Sequence, residues 1–376
     1  MVAYTDQNRI TVSERCPSPF APFAPETDEW SRGEQLFLLP ATSQNAIWTL
    51  LPDACQTSAA ASNCTDLRGG VWNINGSQTY LPKISSLSDN AFQLPYNAEQ
   101  PLQSQGSNLT SSINFTQAAF AGLDTVALGY QGASGPPLNQ QLIYSYGGNS
   151  PYIGQLGLLP YPSYLVNDQT GYNNSIEALR AQNAIPSTFY GYNAGAYYRN
   201  AWSSLTIGGY DAKRGNVENV LEIEMNEQTN RDLQVMVNSI TLGADGGKTP
   251  VSLPAQAWFI DSMVPEIWLP ETACQTFEDV FDLTYNETYG MYFIDLALHD
   301  DLVRRNASVT ITLSANASAG ANTTDIHFPF AAFNQTVGWP IIGGQNYTPA
   351  TQQYFPLKRA QDNTQFYLGR TFLQEA

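Results

Sequence analysis

Short apolar runs separated by Gly, Pro and Asn dominate the chain and predict an all-β fold. The clearest predicted strands are residues 36–39, 125–128, 235–242 and 309–313. Helical periodicity is sparse, and only residues 174–182 and 270–281 place apolar side chains along one face of a short helix. The pattern therefore predicts strands as the main elements, with a few short helices.

An internal repeat predicts how these strands are organised. Residues 41–57 and 261–276 each contain Ile-Trp, then Leu-Pro, then Ala-Cys-Gln-Thr, and the two Ile-Trp pairs are 220 residues apart. Such a period is too long for a solenoid. Because 376 residues also exceed an ordinary single core, we expect two related lobes, residues 1–218 and residues 219–376.

Composition excludes two classes of function. The net charge is −17, and only 16 Lys and Arg are spread along the chain, so the basic face that a nucleic-acid partner requires is missing. No run of 18 apolar residues is present, so no membrane span is predicted within the chain. Only 13% of the residues are charged, which is typical of sheets connected by polar loops.

Glycosylation motifs indicate where the protein resides. The chain has eleven Asn-x-Ser/Thr sequons, at Asn63, Asn75, Asn108, Asn114, Asn173, Asn286, Asn306, Asn316, Asn322, Asn334 and Asn346. This number favours N-glycosylation in a eukaryotic secretory route. We therefore expect a secreted or extracellular protein, held at the cell surface if a segment beyond residue 376 anchors it.

The four cysteines fit an oxidising compartment. Cys55 and Cys64 are close enough to close a short surface loop, and a disulfide between them is predicted. Cys16 and Cys274 remain. Either they pair with each other, or Cys274 has lost a partner outside this chain.

Several segments resemble pepsin-like aspartic peptidases. Residues 258–270 resemble the second active-site turn of that family, in which Asp-Thr/Ser-Gly-Thr/Ser lies between hydrophobic residues. Four further segments resemble family motifs in the family's order: residues 122–126, 153–158, 205–211 and 366–373. The resemblance implies an all-β, bilobal pepsin-like fold with a few short helices and a cleft between the two related lobes. The family's last strand and its Tyr-Gly-Thr flap are not recognisable, and Phe115 is the nearest flap candidate.

The resemblance also implies what chemistry is missing. The family hydrolyses amides with two carboxyl groups that share one proton. The repeat places Ala41 at the position equivalent to Asp261, with Glu34 seven residues before it and Asp53 twelve after it. Because one carboxyl group cannot be both acid and base, we interpret Asp261 as the residual half of a dyad. An altered hydrolysis, a ligand contact and a simple turn acceptor are its other possible roles.

The remaining turn positions support this interpretation. Met263 replaces the family's Gly, and Val264 replaces its second hydroxyl residue. The first turn continues with Thr42 and Ser43, and the resemblance implies that the Thr42 and Ser262 hydroxyls hold the two turns together. No metal or cofactor is predicted, since ligand spacings and a phosphate-binding Gly loop are both missing.

The sequence thus predicts a secreted pepsin-like homologue that does not hydrolyse peptides. We expect it to be a monomer that binds an extended peptide, a secreted protein or a cell-wall glycan in the cleft, or that acts as an inhibitor, as some inactive members of this fold do. The Tyr-rich residues 144–148 and 189–198 would line such a cleft or form sheet faces. The alternative is an active acid endopeptidase whose second carboxyl group comes from elsewhere in the chain.

Overall fold

Strands with a few short helices make up the regular structure, which confirms the predicted all-β class. The computed structural model describes residues 2–4, 10–13, 35–56, 63–84, 119–130, 133–147, 152–164, 170–213, 220–225, 232–318, 321–338, 341–342 and 351–376. Within these ranges, every helix is too short or too polar to cross a bilayer.

The chain divides into two compact units. Unit 1 comprises residues 1–192 and 202–211, and unit 2 comprises residues 193–201 and 212–376. The predicted boundary between residues 218 and 219 lies outside the described residues.

The main sheet of unit 1 has the strand order β2-β3-β9-β4-β8-β6-β5, with β7 paired to β6. Because β2 also pairs with β6, the strand order closes on itself. A smaller sheet has the order β1-β11-β10. The strands are β1 (Val2–Tyr4), β2 (Ile10–Ser13), β3 (Gln35–Ala41), β4 (Ile47–Leu50), β5 (Leu81–Ile84), β6 (Ala119–Tyr130), β7 (Ala133–Ser134), β8 (Leu138–Tyr146), β9 (Gln155–Gly157), β10 (Tyr190–Asn193) and β11 (Ser204–Ile207).

The main sheet of unit 2 has the strand order β19-β18-β12-β14-β23-β15-β22, with β13 paired to β12, and a smaller sheet has the order β16-β17-β21-β20. The strands are β12 (Gln234–Ala244), β13 (Gly247–Val251), β14 (Ala257–Ile260), β15 (Ile267–Leu269), β16 (Tyr285–Asn286), β17 (Met291–Phe293), β18 (Ser308–Ser314), β19 (Thr323–Pro329), β20 (Gln335–Val337), β21 (Gln352–Phe355), β22 (Leu357–Arg359) and β23 (Tyr367–Leu368).

The helices are short and peripheral to the sheets. They are α1 (Cys64–Leu67), α2 (Ser175–Ala181), α3 (Glu271–Phe281), α4 (Leu296–Arg304) and α5 (Phe330–Phe333). The two predicted helices are confirmed as α2, which begins with a capping box between Asn174 and Glu177, and α3, which buries Phe277 and Phe281. Helix α4, which the side chain of Asp295 caps, was not predicted from the sequence.

Aromatic packing identifies one part of the unit 1 core. Trp48 on β4 stacks on Tyr144 of the neighbouring strand β8, with ring centroids 4.8 Å apart, and also contacts Tyr146. Both tyrosines are buried. The Tyr-rich stretch that begins at Tyr144 is therefore a core sheet face, whereas Phe189 and Tyr197 of the second Tyr-rich stretch are exposed.

The predicted disulfide between Cys55 and Cys64 is confirmed, with Cα atoms 5.7 Å apart. Arg68 is buried beside it and donates to the carbonyl oxygens of Ala54 at 2.7 Å and Tyr152 at 2.9 Å. Cys274 carries a free thiol that is fully buried in α3, and burial raises its pKa to about 12. Cys16 lies outside the described residues.

Candidate functional site

The first repeated segment forms a turn between β3 and β4 in unit 1. Strand β9 lies between these two strands, parallel to β3 and antiparallel to β4. The carbonyl oxygen of Ala41 accepts hydrogen bonds from the N–H groups of Gln44 at 3.3 Å and Leu158 at 3.0 Å. The turn is thus fixed both internally and to the chain that follows β9.

The second repeated segment forms the corresponding turn between β14 and β15 in unit 2. Strand β23 lies between them, again parallel to the first and antiparallel to the second. The carbonyl oxygen of Asp261 accepts from the N–H of Val264 at 3.2 Å, and the N–H of Asp261 donates to Leu368 at 3.2 Å. The sequence repeat is therefore also a repeat of strand topology.

Strand register makes the equivalence of Ala41 and Asp261 explicit. The aligned pairs are Leu39–Gln155 and Ile47–Leu156 in unit 1, and Phe259–Tyr367 and Ile267–Leu368 in unit 2. Residues of β14 and β15 lie 220 positions after their counterparts in β3 and β4. Residues of β23 likewise lie a constant number of positions after their counterparts in β9. Ala41 therefore occupies in unit 1 the position that Asp261 occupies in unit 2.

Each supporting segment has a glycine where the turn passes close to it: Gly157 is the last residue of β9, and Gly369 directly follows β23. Gly157 donates to Ala46 at 3.0 Å, and Gly369 donates to Glu266 at 3.1 Å. A Cβ atom at Gly157 would lie 2.5 Å from the main-chain nitrogen of Ala46, and one at Gly369 would lie 2.2 Å from the carbonyl oxygen of Val264. Any side chain at these positions would push the turn away from its support.

The side chain of Asp261 takes part in its own turn. Its Oδ1 accepts from the main-chain N–H of Met263 at 2.8 Å. Arg370 braces the same turn, since its Nη1 donates to the carbonyl oxygens of Ser262 at 2.7 Å and Met263 at 3.2 Å. Asp261 is thus held in one orientation by main-chain contacts.

The neighbouring turn positions are packed rather than open. Met263 is buried, and Val264 is fully buried in an apolar cluster with Trp268 and Tyr367. In unit 1, Ala41 is fully buried, and Thr42 and Ser43 are also buried. Ser262 is buried as well. That the Thr42 and Ser262 hydroxyls hold the turns together stays a prediction.

A second buried carboxyl group, that of Asp232, lies on the chain segment that pairs with the one leading to Asp261, and it was not predicted from the sequence. The N–H of Ile260 donates to the carbonyl oxygen of Leu233 at 2.9 Å. Asp232 directly precedes Leu233 and Asp261 directly follows Ile260, so both carboxyl residues come at the same end of these two segments. Burial raises the pKa of Asp232 to about 6, an effect that main-chain hydrogen bonds only partly offset. No motif in the sequence marks Asp232, because 29 residues separate it from Asp261.

A narrow cleft beside the first turn in unit 1 is lined by Asn45, Gln141, Ser163, Asn174 and Ser175, among others, and it has no room for a water molecule. Most of these side chains bond to their neighbours, for example Ser175 to Gln141 at 3.0 Å. The cleft is therefore a polar packing feature of the turn rather than a binding pocket.

The remaining predicted site residues are Phe115 and the asparagines of the sequons. Phe115, Asn108, Asn114 and Asn346 lie outside the described residues. Six sequon asparagines are exposed: Asn63, Asn75, Asn173, Asn306, Asn316 and Asn322. Asn286 and Asn334 are half-buried. Within the described ranges, His, Cys, Asp and Glu side chains nowhere form a group of three or more that could hold a metal ion.

No protein-family model matches the chain, and a search of curated proteins finds no match.

Proposed function

We propose that this chain is a secreted homologue of the pepsin-like aspartic peptidases that binds a polypeptide segment without cleaving it. The observation that carries the proposal is the register equivalence of Ala41 and Asp261. A duplicated turn that holds a carboxyl group in one copy and a methyl group in the other retains half of a two-carboxyl site.

The surroundings of Asp261 support a binding role. Hydrolysis by this family needs one carboxyl group to activate water and another to protonate the carbonyl. Asp261 is fixed by the N–H of Met263, and Val264 presents an apolar side chain where the family has a hydroxyl. These features preserve a rigid turn, which suits binding, and they lack the groups that would tune a catalytic carboxyl.

The disulfide and the exposed sequons support the secreted location that the proposal includes. The Cys55–Cys64 disulfide is stable in an oxidising compartment, and six sequon residues in the described ranges present their side chains to solvent. We propose an extended peptide or a secreted protein as the ligand, with a cell-wall glycan as the alternative partner.

The test is an assay of peptide hydrolysis at acid pH, using casein and a quenched fluorescent peptide with and without a statine-type inhibitor. We expect no inhibitor-sensitive cleavage between about pH 3 and pH 6, the range in which carboxyl dyads work. Cleavage that the inhibitor blocks and that Asp261→Ala abolishes would overturn the proposal in favour of an active acid endopeptidase. If no such cleavage is found, identification of the protein that co-purifies from the native source would name the ligand.

A further inference from the structure

Two buried carboxyl groups lie at the same end of one pair of chain segments in unit 2. Gln234 pairs with Phe259, and the N–H of Ile260 donates to Leu233. Asp232 and Asp261 are the next residues on the two segments, directly beyond the last pair that the main chain joins. The chain also bends at this point, because the carbonyl oxygen of Asp232 accepts from the N–H of Gln234 at 3.1 Å.

Asp232 has an unsatisfied oxygen in this position. Only 2% of the residue is exposed, yet its Oδ2 receives no hydrogen bond from any of the described residues. Asp124 in unit 1 is buried to the same degree, but Ser77, Thr79 and the N–H of Thr125 all donate to its carboxylate. Buried carboxylates are normally paired in this way, because desolvation without a donor is costly.

The positive charge at this turn is already engaged elsewhere. Arg370 directs its Nη1 to the carbonyl oxygens of Ser262 and Met263, and its contacts do not include Asp232. Burial raises the pKa of Asp232, as expected for a carboxyl group that has no cationic partner among the described residues. A cation from a ligand would satisfy the oxygen that these residues leave without a donor.

We propose that Asp232 and Asp261 bind a single cationic side chain, the ammonium group of a lysine or the guanidinium group of an arginine, in a bound peptide. Such groups donate several charge-assisted hydrogen bonds at once, which suits two neighbouring carboxylates. A metal ion fits less well, since the described residues offer no third His, Cys, Asp or Glu to the pair. This site rests on the proposed function, for which it specifies the chemistry of the ligand.

The experiment is calorimetric titration with matched peptides at about pH 7, where a carboxylate and a lysine side chain are both charged. The probes are acetylated, amidated alanine-rich hexapeptides that carry either lysine or its uncharged analogue norleucine at one central position. We expect the lysine peptides to bind the wild-type protein at least about tenfold more tightly, a preference that follows from charge-assisted hydrogen bonding. The preference should disappear in Asp232→Asn, and Asp261→Asn should reduce it.

The matched control is Asp279→Asn, which removes one negative charge from an exposed position of α3 and should leave the preference unchanged. Circular dichroism and a thermal melt establish that each variant is folded. Equal affinity for the lysine and norleucine peptides would overturn the cation site alone. A lysine preference that survives in Asp232→Asn would also overturn it. Failure of every peptide to bind would overturn the proposed function together with the site.

Discussion

The main-chain N–H of Met263 donates to Oδ1 of Asp261 at 2.8 Å, inside a turn that the carbonyl oxygen of Asp261 also closes. Asp261 therefore stabilises its turn whether or not it meets a ligand. We expect Asp261→Ala to lower the free energy of unfolding by about 1–2 kcal/mol, because a buried donor loses its acceptor. Asp261→Asn keeps the acceptor and should stay within about 0.5 kcal/mol of the wild type in urea denaturation. Equal losses in the two variants would contradict this role.

Placing a carboxyl group at Ala41 should not give peptide hydrolysis. Ala41 is fully buried, so Ala41→Asp places a charge where no solvent reaches it. We expect no cleavage of a quenched fluorescent peptide at acid pH and a loss of about 2–4 kcal/mol of stability near neutral pH. Ala41→Asn is the control that separates charge from size, and it should lose less.

The triple variant Ala41→Asp, Met263→Gly, Val264→Thr has the better prospect of weak acid peptidase activity, because it also introduces the glycine and the hydroxyl that the proposed family has in its second turn. Substantial activity in the single variant would show that position 41 alone prevents hydrolysis. The stability of the triple variant should fall further, since Val264 lies in an apolar cluster with Trp268 and Tyr367, where a hydroxyl has few partners.

The stability of unit 2 should depend on pH through Asp232. Its pKa in the folded protein is raised to about 6 from an ordinary value of 3.8, so the folded state binds the proton more tightly than the unfolded state. The resulting stabilisation is complete below about pH 4 and is lost as the pH rises through about 6. Asp232→Asn should remove this dependence, so that the variant gains about 2–3 kcal/mol relative to the wild type between pH 4 and pH 7. Parallel stability profiles in urea denaturation would refute the assignment.

Loss of the Cys55–Cys64 disulfide should destabilise unit 1. The bridge spans nine residues, and closing a loop of this length in the unfolded chain corresponds to about 2–3 kcal/mol. The variant with both cysteines replaced by serine should show this loss in urea denaturation. The control is the wild-type protein in reductant, which should fall to nearly the same stability. A reduced wild type as stable as the oxidised form would exclude the expected contribution.

Sequon occupancy should follow exposure. The side chains of Asn63, Asn306 and Asn316 are exposed, whereas Oδ1 of Asn334 is buried with no partner among the described residues. We expect glycosidase release in heavy-oxygen water, followed by peptide mapping, to mark the exposed sites and to leave Asn334 largely unmodified. Full occupancy at Asn334 would contradict the orientation of its side chain.

Sequence alone determined the elements that rest on local patterns. The alternating apolar residues of β12, the amphipathic face of α3 and the spacing of Cys55 and Cys64 each depend on residues close together in the chain, and each prediction is confirmed. The repeat likewise identified Ala41 as the counterpart of Asp261, because duplicated turns keep their internal spacing. Helix α4 was missed because only Leu302 is fully buried in its nine residues, while Leu296 and Val303 are exposed, so its apolar pattern is too short and too mixed to stand out in the sequence.

Only the tertiary structure decided which distant segments pack against the two repeated turns. The strands that support the two turns, β9 and β23, come from later parts of the chain, and only their register shows that Gly157 and Gly369 serve the same purpose. Asp232 and Asp261 come to the same end of neighbouring segments only because β12 and β14 run antiparallel with one particular register. A one-residue shift in that register would place a different side chain next to Asp261. Such a pairing is fixed by long-range packing and hydrogen bonding, which leave no local pattern in the sequence.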